Sequence, residues 1–388
     1  MAQDREPRPA VVVFLPSLAG GGAERAMVEV ANALAASHAS VTLAVASIAG
    51  PYREEIAPEV RLVDLAAGGT IAALLPLVRL LRRERPVALL SAMRHANIVA
   101  ILATALARRG AGLQTRVVIS ERSTISAMRR IERNHLSLFL DWLARMIYPH
   151  SDALIAVSEG VADDLRQELG ASAPPIHVVY NPTVTPELVQ LAAAPVPHPW
   201  LDAAGPPVIV AVGRLVAAKG YDVLLRAFAQ VRRGRRCRLI ILGEGPDRNA
   251  LEQQARHLQV DRDVLIPGFV VNPFAWLSRA ALYVLSSRVE GLPNALVQAM
   301  ACGTPVVSTD CPSGPREILE SGQWGQLVPV DNPAALADAI DAGLERRGDR
   351  VPDEALARFL PAEAGNAYAR VLGILEPSAR CDEVIHAA

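Results

Sequence analysis

The feature that most constrains this chain is a repeated alternation of short aliphatic or β-branched runs with longer helical patterns. VVVFLPS, VTLAVAS, VALLSA, RVVISE and ALIAVSE recur through the first half, and PVIVAVG, RLIILGEG, VLIPGF, ALYVLSS and TPVVSTD through the second. Between them the apolar residues switch to helical spacing, as over residues 23–36, 221–232 and 248–258 and onward from Pro293. Runs this apolar bury both faces, and strands joined by helices pair in parallel because each crossover returns the chain to the same sheet edge. The pattern predicts an α/β chain of two doubly wound, Rossmann-like domains with a deep interdomain crevice. At 388 residues there is length for two separate cores.

The boundary is marked by proline. Seven prolines fall between Pro182 and Pro207, a stiff stretch that a compact domain does not need. This divides the chain into a first domain over 1–185, a Pro-rich linker over 186–206, a second domain over 207–360, and a helix or tail over 361–388 expected to pack back on the first domain.

Composition narrows the function classes. Formal net charge is -1, so the molecule as a whole has no electrostatic claim on nucleic acid. Cys237, Cys302, Cys311 and Cys381 lie far apart with no CxxC, which suggests reduced thiols rather than a zinc site or a disulfide framework. The first residues, MAQDREPRPA, are unlike a signal peptide, and apolar runs such as residues 96–107 are shorter than the roughly 18 residues of a membrane span. A cytoplasmic protein is expected. Residues 79–145 nevertheless carry 13 arginines against Glu84, Glu121, Glu132 and Asp141, a local excess of +9. Within them STISAMRRIERNHLSLFLDWLARMIY sets arginines beside Leu, Phe and Trp, which suits peripheral contact with anionic lipid as well as a solvated helix face.

Three strand ends carry the chemistry. The first runs into GGGAER, where Gly21 and Gly22 open a helix whose amides and positive dipole end suit phosphate oxygens. It is not a dinucleotide fingerprint, because Arg25 stands where the third glycine belongs. The second offers Arg214 and Lys219 five residues apart on a strand-to-helix loop, a fork and a point charge for a diphosphate. Lys219 is the only lysine among 39 basic residues. The third is SSRVEGLPNALVQAMACGTPVVSTDCPSGPREIL: Glu290 can grip sugar hydroxyls, Gly291 and Leu292 present amides, Pro293 suits the first position of a helix continuing through Asn294, and Gln298 lies near one face of it. His95, in SAMRHANIVA, is a candidate acid or base, and Glu121 with Arg122 a candidate acceptor-side pair. Asp261 and Asp263 read as a solvated turn rather than a metal site.

Taken together, GGGAER, VSEGVADDL, YNP, GRLVAAKG, IILGEGP, IPGF and EGLPNALVQAMACGTPVVSTDCPSGPREIL resemble the retaining GT-B glycosyltransferases of family 4, also called group 1, over nearly the whole chain. The resemblance implies an enzyme that moves a hexose or N-acetylhexosamine from a nucleotide diphosphate sugar, commonly UDP-linked, to a hydroxyl of a saccharide or polyprenyl-linked saccharide, with retention of configuration. It implies no cofactor and no required metal. It makes the first domain the acceptor side and the second the nucleotide-sugar side. By the same resemblance Arg214 and Lys219 match the diphosphate pair, Glu290 the first glutamate of an E-x7-E motif, Gly21 and Gly22 the phosphate loop, and Gly243, Glu244, Pro267 and Gly268 positions near the base. The second glutamate is replaced by Gln298, whose amide offers one acceptor oxygen where a carboxylate offers two. Two other readings stay open at this point: a sugar-nucleotide epimerase or hydrolase on the same frame, and a non-catalytic binding protein of polysaccharide assembly.

Overall fold

A computed structural model describes residues 8–19, 21–109, 112–131, 135–196, 198–201, 205–345 and 351–376. The first seven strands are β1 (Ala10–Leu15), β2 (Ser40–Val45), β3 (Arg61–Asp64), β4 (Ala88–Ala92), β5 (Arg116–Glu121), β6 (Ala153–Ala156) and β7 (Ile176–Val178). They form one parallel sheet in the order β3-β2-β1-β4-β5-β6-β7. The next six, β8 (Val208–Val212), β9 (Arg238–Leu242), β10 (Val264–Gly268), β11 (Leu282–Leu285), β12 (Val306–Thr309) and β13 (Gln326–Val328), form a second parallel sheet in the order β10-β9-β8-β11-β12-β13. The two-domain, doubly wound reading of the alternation is therefore the observed architecture.

Each central strand buries both faces, as its composition demands. In β1, Val11, Val13 and Leu15 enter one apolar cluster while Val12 and Phe14 enter another on the opposite face. In β8, Val208 and Val210 face one way and Ile209 and Ala211 the other. Both sheets reverse winding direction at their middle, between β1 and β4 and between β8 and β11. Loops leaving the carboxyl ends of strands at such a switch point diverge and leave a crevice. The loops after β1, β8 and β11 hold the three glycine- and charge-bearing motifs, and the loop after β4 leads to His95.

The helix Pro361–Val371 lies against the helix Gly22–Ser37 of the first domain, so close that a Cβ on Gly365 would sit 3.2 Å from Ala33 Cβ, and the His38 Nε2 lies 2.9 Å from Asn366 Oδ1. Ala364, Tyr368, Ala369, Val371 and Leu372 complete the apolar cluster on that face of the first sheet. Tyr368 is fully buried, and its hydroxyl accepts from Arg122 Nη1 at 3.2 Å, next to the crevice. Tyr368→Ala is expected to lower stability by about 3–5 kcal/mol through the lost ring and cavity, and Tyr368→Phe by about 1 kcal/mol through the lost hydrogen bond. Urea unfolding of both variants checks the ranking.

Candidate active site

The crevice between the two sheets has a volume of about 1040 Å³. From the second domain, the loop after β8 carries Gly213 and Arg214 and turns through Ala217–Lys219 into the helix Tyr221–Gly234. The loop after β11 brings Glu290 against it. Lys219 Nζ donates to Glu290 Oε1 at 2.6 Å, and Ser287 Oγ donates to the same oxygen at 2.6 Å. Ser286 Oγ donates to the Lys219 carbonyl at 2.8 Å, which fixes the lysine's own backbone. Charge-assisted bonds of this kind are among the stronger ones available to a partly buried pair. Glu290 Oε2 takes no hydrogen bond among the described residues. Arg214 is exposed on the crevice wall and makes no ion pair among them, so its guanidinium stands open to an anionic ligand.

Gly291 follows Glu290 where the domains touch. A Cβ on it would sit 2.0 Å from the Arg122 carbonyl oxygen, so this close approach excludes any side chain. Leu292 is buried, and Pro293 is the residue before the helix Asn294–Ala301 rather than its first helical residue. Gly21 and Gly22 open the long helix of the first domain across the crevice. Asn294 reaches across that gap to two points on the first domain: its Nδ2 donates to the Gly22 carbonyl at 3.1 Å, and its Oδ1 accepts from Asn181 at 2.6 Å. The asparagine expected among the donor contacts therefore also bridges the domains.

The remaining candidates separate. Gly243 and Glu244 line the crevice, with Glu244 Oε1 accepting from Arg248 at 2.7 Å. Pro267 and Gly268 do not line it; the next residues, Phe269, Val270 and Val271, do, with Phe269 and Val271 exposed. His95 is half-buried at the start of the helix Arg94–Arg108 and outside the lining, and burial beside Arg94 holds its pKa below the usual imidazole range. Met93 and Arg94 take the place expected for it, Met93 in a left-handed backbone (φ 76°) of the sparsely populated kind often found at functional sites. Glu121 and Arg122 touch the crevice but are largely held elsewhere. The buried Glu121 accepts from Tyr148 Oη at 2.7 Å, and its pKa is raised by burial. Arg25 and Tyr52, which sequence reasoning did not single out as site residues, also line the space, the guanidinium lying 5.2 Å from the Phe274 ring of the other domain. Both positions depend on how the two domains meet, which no spacing in the sequence reveals.

Gln298 lines the crevice and also a small cavity of about 20 Å³ behind it, shared with Arg25, Glu29, Thr183, Phe274 and Asn294. Burial pushes the Glu29 carboxyl up to about 7, against the lowering effect of Arg25 and with Glu55 and Glu187 adding to the rise. No group of three or more His, Cys, Asp or Glu suited to hold a metal ion occurs among the described residues. Asp263 of the DRD turn is paired with Arg232 at 2.7 Å.

Residues 20–187 match the family described as Glycosyltransferase Family 4, and residues 206–346 match Glycosyl transferases group 1. The chain belongs to the family 4, or group 1, glycosyltransferases. It is 32% identical over 253 residues, covering 65% of this chain and 66% of the relative, to the N-acetylgalactosamine-N,N'-diacetylbacillosaminyl-diphospho-undecaprenol 4-alpha-N-acetylgalactosaminyltransferase of Campylobacter jejuni. It is 30% identical to the lipopolysaccharide 1,6-galactosyltransferase of Salmonella typhimurium, over 49% of this chain and 51% of that protein. The matched stretches thus span less than two thirds of the lengths of these curated relatives. Two solved structures share the fold: HepE of Anabaena in complex with UDP and glucose (TM-score 0.69, 20% identity, 95% of this chain and 97% of that one), and the lipopolysaccharide outer core galactosyltransferase WaaB (TM-score 0.68, 19% identity, 94% and 99%).

The raised pKa of Glu29 has a thermodynamic consequence. The folded state holds this proton more tightly than the unfolded chain, so the contribution to stability is fully present below the ordinary value of 4.5 and is lost as pH rises through about 7. Glu29→Gln is expected to flatten that part of the profile. Unfolding midpoints compared at about pH 5 and about pH 8 check it: the unaltered protein should lose more stability across the interval than the variant.

Proposed function

We propose that this protein is a retaining glycosyltransferase that moves a hexose or N-acetylhexosamine from a UDP-linked sugar to a hydroxyl of a saccharide or lipid-linked saccharide. The observation that carries the reading is the paired Lys219 and Glu290 beside the open Arg214, facing the Gly21–Gly22 helix start across the crevice. That arrangement suits a diphosphate with a sugar beyond it. HepE, of the same fold, was solved with UDP and glucose. The C. jejuni and S. typhimurium relatives are named for transfer to a diphospho-undecaprenol-linked saccharide and to lipopolysaccharide, which supports a lipid-linked or surface-glycan acceptor.

Chemically, the bond from the sugar's anomeric carbon to the diphosphate oxygen breaks as a bond to the acceptor oxygen forms on the same face. The acceptor proton passes to the departing phosphate oxygen. Negative charge grows on the diphosphate, and Arg214, Lys219, the Gly291 and Leu292 amides and the Gly21–Gly22 helix start stabilise it there. These groups would supply the neutralisation that a divalent metal ion supplies elsewhere, so the reaction is proposed to need no metal or cofactor. Glu290 Oε1 is occupied by Lys219 and Ser287, leaving Oε2 to hold a sugar hydroxyl. Gln298 faces the ribose with one amide oxygen, and Phe269 offers an aromatic face to the base. Lys219→Ala is expected to lower kcat by about 10²–10³-fold and to weaken UDP binding. Unchanged turnover would remove the diphosphate assignment.

The acceptor is proposed to be met at the cytoplasmic face of an anionic membrane. On the helix His135–Ile147, Leu136, Leu138, Phe139, Trp142 and Met146 are exposed, the last two by 57% and 58%, and Phe139 stacks on Trp142. Its other face is seated by Ser137, Asp141 and Ala144. The arginine excess contributes less than its count suggests. Arg94 and Arg129 are paired with Asp141, Arg129 and Arg145 with Glu168, and Arg108 with Asp152. The apolar face therefore carries most of this reading, with exposed Arg130 beside it for anionic headgroups. The neighbouring helix Ile125–Ile131 sends Met128 into the crevice, so a surface-bound lipid tail and a crevice-bound saccharide lie along one path. No helix among the described residues is long and apolar enough to cross a membrane. Phe139→Glu with Trp142→Glu is expected to abolish co-sedimentation with phosphatidylglycerol vesicles while transfer to a water-soluble acceptor is kept.

A further inference from the structure

The two domains meet along a seam that reaches the donor site. Ser158 follows β6 and caps the helix Glu159–Leu169, its Oγ accepting from Val161 N at 3.3 Å. The same oxygen lies 2.8 Å from the Gly291 carbonyl oxygen and 2.7 Å from Ser313 Oγ, which itself lies 2.9 Å from that carbonyl. Two hydroxyl protons serve these three contacts, and any assignment that satisfies the group leaves Gly291 with a hydroxyl donor. Both serines are buried. Ser158 belongs to the first domain, Gly291 and Ser313 to the second.

One turn away the relation is repeated with charge. Glu317, on the short helix Pro315–Ile318 of the second domain, accepts from the Glu159 amide through Oε2 and from the Gly160 amide through Oε1, each at 3.0 Å. These are first-turn amides with no partner inside their own helix, and a carboxylate there also meets the positive end of the helix dipole. Tyr180 Oη donates to Glu317 Oε2 at 3.3 Å. The approach is close enough that a Cβ on Gly160 would lie 3.0 Å from the Pro312 carbonyl oxygen.

We propose that Ser158 and Glu317 are positioning residues for the donor site: they dock the first domain onto the Glu290–Gly291 loop and so hold Glu290 where it meets Lys219. Glu290 is the residue before Gly291, and Gly291 is gripped on its carbonyl by the two serines and on its Cα side by the Arg122 carbonyl. Nucleotide contacts on the second domain need only that domain. The backbone that carries Glu290 into the site is held from both, at Gly291. The sequence segments VSEG and CPSGPRE are thereby given one shared physical task, which neither shows alone.

The inference rests on the glycosyltransferase reading for its kinetic arm only. In steady-state assays with a UDP-sugar, Ser158→Gly and Glu317→Gln are expected to lower kcat about ten- to hundredfold, as small misplacements of a catalytic group do, with UDP affinity by calorimetry falling by a much smaller factor. Glycine at a cap position costs only a few tenths of a kcal/mol relative to serine, so Ser158→Gly isolates the hydroxyl's seam contact from its capping. Ser158→Thr, which keeps the hydroxyl, should restore turnover. Small-angle X-ray scattering of Glu317→Gln should show a larger radius of gyration than the unaltered protein. Unchanged kcat in both variants, loss of UDP affinity in step with kcat, or failure of Ser158→Thr to rescue overturns the inference. If the unaltered protein binds UDP but transfers no sugar, the functional reading fails instead, and the scattering comparison then decides the seam: no expansion refutes it.

Discussion

Parallel pairing is the constraint on which the rest of this structure depends. In both sheets every strand runs the same way, so every connection must cross back over a face and every loop that follows a strand emerges at one edge. With the two carboxyl edges turned toward each other, the loops after β1, β4, β8 and β11 converge on a single crevice. Residues as far apart in sequence as Gly22, Arg122, Arg214 and Gly291 thereby line one space.

Within that space the charges are arranged unequally. Lys219 and Glu290 neutralise each other, and their bond sets the geometry of two loops. Arg214 is left open, and the helix start at Gly22 adds a partial positive charge from across the gap. Positive groups thus reach the crevice from both domains, with carboxylates such as Glu55 and Glu244 beside them. A similar economy governs the first domain's arginines. Arg94, Arg129 and Arg145 share Asp141 and Glu168 in one network that seats the helix His135–Ile147 and turns its apolar side outward.

Much of this was legible in the sequence because local pattern and buried environment coincide. Strands buried on both faces, such as β1, β5, β8 and β9, announce themselves as aliphatic runs. β3, β7 and β13 do not: they are short edge strands with partly exposed residues such as Arg61, His177 and Gln326, so no apolar run marks them. In the site, Arg214, Lys219, Glu290, Gly21 and Gly22 reach the crevice because loop residues after a strand end have few other places to go. His95 does not reach it, because one residue along a helix start rotates a side chain by about 100°, and it is Met93 and Arg94 that turn inward. Pro267 and Gly268 are still part of β10, and the chain enters the crevice only at Phe269, the residue after the strand end.

The sequence by itself determined the strand-helix alternation, the two domains and the loop residues that carry charge, because each is written in local composition and spacing; the family came from the resemblance of its motifs. Only the tertiary structure decided what crosses between the domains: Asn294 reaching Gly22, Gly291 pressed against Arg122, Arg25 over Phe274, and Ser158 and Glu317 joining two distant segments. These contacts depend on the relative placement of two rigid bodies. A hydroxyl or carboxylate that meets its partner more than a hundred residues away leaves no period in the sequence, whereas the hydrophobic demand that builds each sheet is written as an unbroken run along a strand buried on both faces and every third or fourth residue along a helix.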